Sequence, residues 1–196
     1  MLEGIGVFRL IHFASFMFMA APLFMLIIVN ERAVFGRTLD PKLDRYMENI
    51  ITRNHVRCFV FQGTVLASGV GLLILRGYGL EAVFQNWAMG VKFLILITLV
   101  GLLAYISTVV QPRVNSLLGQ VEKEPARAGE LAPQIWGLRR RRKKLSSLCL
   151  FLVLTALILG LRLIFPYSVV LTLVFIALAG VFAWRVYSSL LRHGWI

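Results

Sequence analysis

With 196 residues, 59% of them hydrophobic, and a mean hydropathy of +0.80, the chain is too apolar for a soluble domain. A net charge of +12 would suggest nucleic acid in a soluble protein. Here the charges flank the hydrophobic runs, so anionic headgroups and topology account for them, and the class is all-α integral membrane protein.

Five transmembrane helices are expected, at about 5–29, 56–75, 87–110, 145–165 and 168–187, in a single membrane domain. Residues 1–118 would form a three-helix core, 119–144 a basic loop and 145–196 a helical hairpin turning near Pro166. The first span is expected to be retained rather than cleaved as a signal, because Glu3 precedes any positive charge and the hydrophobic run continues to Val29. Pro22 should kink it.

After span one come Arg32, Arg37, Lys42, Arg45, Arg53 and Arg57, and after span three comes a loop ending in RRRRKK (139–144). The other two connections carry only Arg76 and Arg162 at their edges, while Arg185 and Arg192 lie near the C-terminus. Positive-inside counting therefore places the N-terminus outside and both long loops and the C-terminus in the cytoplasm. Asp40 with Pro41 reads as a helix start. Leu43, Met47, Ile50 and Ile51 give that segment an apolar face, so an amphipathic cytoplasmic helix is expected between spans one and two. Pro112, Pro125 and Pro133 should break the second loop, and its RRRRKK run reads as a stop-transfer and headgroup cluster. Two stripes, Gly63/Ala67/Gly71 in span two and Thr98/Gly101/Tyr105/Thr108 in span three, suggest close helix packing.

Chemistry-bearing residues are few. Cys58 and Cys149 have no zinc spacing and no disulfide framework, so both should be reduced thiols near the inner side. His55 reads as an interfacial structural residue, and His193 lies near the C-terminus. His12, in span one, shares a helical face with Arg9. Lys92 lies inside span three, and all nine acids fall outside the hydrophobic runs. A lysine at such a depth costs about 2.5–3.5 kcal/mol on insertion scales unless it snorkels. Counting from the span centres puts His12 and Lys92 both roughly 8 or 9 Å from the midplane, in the outer leaflet.

An imidazole with two cations and no acid at one level suits a cofactor with an apolar body and an anionic edge. Haem b fits best, with His12 as metal ligand and Arg9 and Lys92 on the propionates; a quinone fits less well. Two histidines at opposite depths cannot ligate one iron. His12 would thus act alone, with Met89, or with a group from another subunit. The competing reading of His12 is a hydrogen bond to a neighbouring helix. Met17, Met19 and Met25 raise copper uptake as a weaker alternative, although Met17 and Met19 point to different faces.

On LIHFASFMFMAAPLF (His12), LDRYMENIITRNHVRCFVFQGTVLASGVGLLIL and WAMGVKFLILITLVGLLAY (Trp87, Lys92), the chain over about residues 5–118 resembles the HemJ-type protoporphyrinogen oxidase and CopD-type membrane protein superfamily. It departs from that pattern at Tyr105, which Ile106 follows where the family often has histidine. The resemblance implies a membrane oxidoreductase with a b-type haem, His12 and Lys92 being the catalytic pair. The alternative is a non-catalytic accessory subunit of a larger respiratory or photosynthetic complex, or a homo-oligomer, in the plasma (bacterial inner) membrane.

Overall fold

The computed structural model describes residues 2–34, 39–79, 81–165 and 167–188. Pro166, His193, Arg192 and Arg37 lie outside the described residues, as do the side chains of Pro22, Met25 and Arg32. In chain order the helices are α1 (Leu2–Val34), α2 (Pro41–Leu75), a short α3 (Ala82–Gln85), α4 (Trp87–Tyr105), α5 (Gln111–Lys123), α6 (Ala128–Arg162) and α7 (Val169–Ser188). A π-helical turn, Ile106–Val110, joins α4 to α5, and a 3₁₀ turn, Pro125–Arg127, precedes α6. No strand occurs among the described residues. Five helical rods are long and apolar enough to cross a membrane, and the chain is an integral membrane protein by this measure.

Length explains the architecture. The 35 residues of α2 and the 35 of α6 run about 52 Å each at ~1.5 Å per residue, against a hydrocarbon core of ~30 Å. Each rod therefore has an apolar part and a polar extension, and the extensions of α2 and α6 meet α5. Asp40 caps α2 as expected, its side chain accepting from the Lys42 and Leu43 amides at 3.0 and 3.2 Å. Asn86 caps α4 in the same way, accepting from the Ala88 and Met89 amides.

The segments expected as loops are largely helical. Pro112 does not break the rod, because it stands in the first turn of α5, where its missing N–H costs little. The preceding π-turn widens the backbone at the point where the ring would otherwise crowd the carbonyl four residues back. Pro133 lies inside α6 without ending it. On α5, Gln111, Val114, Leu118 and Val121 recur at helical spacing and are all buried. Val114, Leu118 and Val121 close a small core with Leu131 and Ile135 of α6. A second core, in the apolar part, joins Met19 of α1, Ile95 and Leu99 of α4, and Cys149, Val153, Ala156 and Leu159 of α6.

Both expected packing stripes are only partly turned to neighbouring helices. Gly63 and Ala67 are exposed, and a methyl group added at Gly63 would touch nothing within 4 Å. Only Gly71 makes the close approach, to the Phe8 ring of α1. Thr98, Gly101 and Thr108 are likewise exposed, their hydroxyls bonded back to the Leu94 and Ala104 carbonyls. The inward faces are Gln62/Val65/Ser68 on α2 and Ile95/Leu99/Leu103 on α4. Leu150 and Leu154 of α6 pack against Phe182 and Val186 of α7. The Arg162–Thr172 hydrogen bond (2.9 Å) and the Tyr167 hydroxyl on the Ile158 carbonyl also tie the hairpin together.

Candidate functional site

Two polar centres lie at opposite ends of the bundle, one around His12 and one around Glu48. At the first, the His12 ring crosses from α1 to α2, with Nδ1 2.9 Å from Ser68 Oγ. The direction of that bond can be deduced. Ser68 Oγ also lies 2.6 Å from the Thr64 carbonyl oxygen, which can only accept, so the hydroxyl proton is committed there. Ser68 Oγ must then accept from His12, which fixes the Nδ1–H tautomer and leaves the Nε2 lone pair available. The ring also hydrogen-bonds the Val65 backbone, whose carbonyl can only accept. Gly69 leaves room for the ring, since a Cβ there would sit 3.3 Å from His12 Cε1.

Lys92 reaches across from α4 to α6, where its Nζ would lie 3.3 Å from a Cβ placed on Gly160. It is half-buried, and no carboxylate pairs with it among the described residues. Its charge acts on the His12 imidazole. Arg162, whose guanidinium lies over the Trp87 ring (5.0 Å to the centroid), adds a cation to the same end of the bundle. The other two expected site residues are not brought to His12. Arg9 is exposed, and Met89 is half-buried in the capped first turn of α4. No hydrogen bond joins either to His12 among the described residues. The sequence reading did not place Arg162 in this group.

The second centre was invisible as a site in the sequence. Glu48, fully buried on α2, accepts from Arg139 Nε (3.0 Å), from both terminal nitrogens of Arg142 and from Gln111 Nε2 (2.7 Å). Gln111 Oε1 in turn accepts from Arg142 at 2.7 Å. Arg139 Nη2 stands 2.7 Å from Asp44 Oδ1. Half of the RRRRKK run is therefore interior. Arg139, Arg142 and Lys143 are buried, and only Arg140, Arg141 and Lys144 are exposed, Arg141 lying over the Tyr105 ring. The run follows a helical face, since positions 139, 142, 143 and 146 all turn inward. Asp44, Glu48, Ile51 and His55 do the same on α2, at spacings of three and four. That pair of patterns is the signal that could have found the cluster. Leu43, counted toward an apolar face, is exposed, whereas Ile51 is fully buried.

Histidines and thiols do not make a metal centre of their own: among the described residues no three His, Cys, Asp or Glu side chains gather in one. A single imidazole can nevertheless hold a haem iron, and the His12 arrangement suits it. Nδ1–H is anchored, which leaves the lone pair on Nε2, and the Lys92 cation stands nearby. Comparison with protein-family models, curated proteins and solved structures yields no match.

Proposed function

We propose that the protein is a membrane redox protein that binds a b-type haem or a related porphyrin beside His12, in the outer leaflet, between spans one and three. The observation that carries this reading is the forced tautomer of His12. An imidazole whose Nδ1–H is held on a serine hydroxyl keeps its Nε2 lone pair for a ligand. A bound haem supplies one-electron chemistry. His12 would hold it through Nε2, and Lys92 and Arg162 would offer positive charge to anionic edge groups. Lys92, lacking a carboxylate partner among the described residues, can also carry a proton to or from that edge. Arg9 and Met89 enter only if a partner subunit or a bound group draws them in.

This reading extends the likeness to the HemJ/CopD type of membrane protein. In the same proposal the N-terminus is outside and the Glu48 cluster faces the cytoplasm. Arg140, Arg141 and Lys144 lie against anionic headgroups there, and exposed Leu43 and Tyr46 make α2's first turns amphipathic toward the membrane surface. The test is an absorption spectrum of protein purified in mild detergent. A Soret band with sharp α and β bands on reduction supports the reading. A colourless, well-folded protein that stays colourless after haemin is added refutes it and leaves an accessory membrane subunit.

A further inference from the structure

Between α1, α2, α4 and α6 lies a chamber of about 30 Å³ that belongs to neither centre. Its polar lining is His55, Gln62 and Asn54 of α2, with Ser146 of α6, and the thiols Cys58 and Cys149 complete it. His55 and Gln62 are 4% and 6% exposed, yet His55 Nε2 and Gln62 Oε1 have no hydrogen-bond partner. Two such orphans in one small space are expensive, at roughly 1–3 kcal/mol each if left dry. A cavity needs about 10–15 Å³ of this measure for one water, so the chamber has room for one or two.

The chemistry of the lining selects water. Gln62 Oε1 accepts, His55 Nε2 accepts or donates according to its protonation, and Ser146 Oγ has an unused lone pair, its proton being on the Arg142 carbonyl. His55 and Gln62 are seven residues apart on α2, about 10 Å of rise, which two side chains and one or two waters can close. The thiols Cys58 of α2 and Cys149 of α6 line this space beside His55, and the charges of Glu48 on α2 and Arg142 on α6 act on His55 from the neighbouring cluster. The elements α1 and α4 present only apolar side chains such as Met19 and Leu99.

The chamber is also the middle of a longer feature. Asp44, Glu48, His55, Gln62 and Ser68 are all buried on α2, the first four on one face and Ser68 turned about a third of the way round toward the His12 ring of α1. That stripe covers about 36 Å, more than the hydrocarbon thickness, and inward polar side chains in a membrane helix mark ion or proton routes.

We propose that the chamber is a hydrated proton-relay site, with water bound between His55 Nε2 and Gln62 Oε1 and His55 as the group that exchanges protons with it. An excess proton arriving on a chamber water passes to Nε2, leaving neutral water and an imidazolium, and the imidazolium returns that proton to a chamber water, restoring the neutral ring. Only N–H and O–H bonds change and no electrons move. The site does not depend on a cofactor at His12.

The experiment uses the full chain in detergent micelles with ¹⁵N-labelled histidine, each ring assigned by a single His→Gln variant. Ring-proton exchange between His55 and water is then measured in the wild type and in Gln62→Leu, which replaces the acceptor by an apolar group. The relay predicts rapid exchange in the wild type and slowing by roughly tenfold or more in Gln62→Leu, with the His12 ring unchanged. Gln62→Asn, which keeps the amide, should restore much of the exchange. If Gln62→Leu does not fold, Gln62→Met takes its place. A protected His55 ring in the wild type, or equal exchange in the wild type and the apolar variant, shows a dry chamber and overturns the proposal.

Discussion

Replacing Glu48 by glutamine should be among the most damaging single changes in the chain. Glu48 is fully buried, and so are the two arginines it serves. Glutamine keeps the shape but removes the charge, and its NH₂ turns a donor toward guanidinium donors. Removing one partner of a buried ion cluster costs about 3–5 kcal/mol, because the remaining charge is left in a poorly solvating interior. Here Arg139 retains Asp44 and Arg142 retains the Gln111 oxygen, so the lower end, about 3 kcal/mol, is expected. For a chain of this length that corresponds to a fall in Tm of about 6–12 °C. The buried thiols provide the assay: a thiol-reactive dye reaches Cys58 and Cys149 only on unfolding, so dye signal against temperature in mild detergent gives Tm. Adding Arg142→Met to Glu48→Gln should cost less than Arg142→Met alone, since the cation it removes has already lost the Glu48 carboxylate. A Glu48→Gln protein within about 1 °C of wild type would refute the cluster's role in holding α2, α5 and α6 together.

Other outcomes follow from the same geometry. Gly71→Ala drives a methyl group into the Phe8 ring and should lower stability by about 1–3 kcal/mol, whereas Gly63→Ala, facing open space, should be neutral in the same dye assay. Brief alkylation of intact cells should leave Cys58 and Cys149 unmodified and reduced; recovery of a Cys58–Cys149 disulfide in most molecules would contradict this. A label at exposed Tyr78 should be reachable from outside, and a reporter fused after Ile196 should report the cytoplasm. External access to Arg140 or Lys144 would invert the proposed orientation.

The rods themselves were legible because hydrophobic length is a one-dimensional signal, and so was the start of α2, because Asp40–Pro41 acts only on its own first turn. The ion cluster was not. Glu48 and Arg142 are 94 positions apart, and each looks solvated when read within its own segment. A basic run beside a span reads as headgroup-binding until its helical faces are separated and an acidic face is found to meet one of them. The glycine stripe misled for a related reason. Small residues permit close approach but do not compel it, and α2 instead turns inward the face whose polar groups need partners. At the candidate site, depth counting put His12 and Lys92 in one layer, and the structure aims them at α2 and α6. The Ser68 bond that fixes the His12 tautomer depends on a pairing between helices that no local pattern reveals.

The most direct measurement is the reduced-minus-oxidised spectrum, per mole of folded protein, of wild type, His12→Ala and Lys92→Met. The account predicts haem bands in the wild type and their loss in His12→Ala with an unchanged Tm, because the ligand serves the cofactor rather than the fold. Lys92→Met should lose haem if the ammonium meets an anionic edge group, and keep haem while losing redox activity if it moves a proton. Wild-type haem content and activity in both variants would contradict the account.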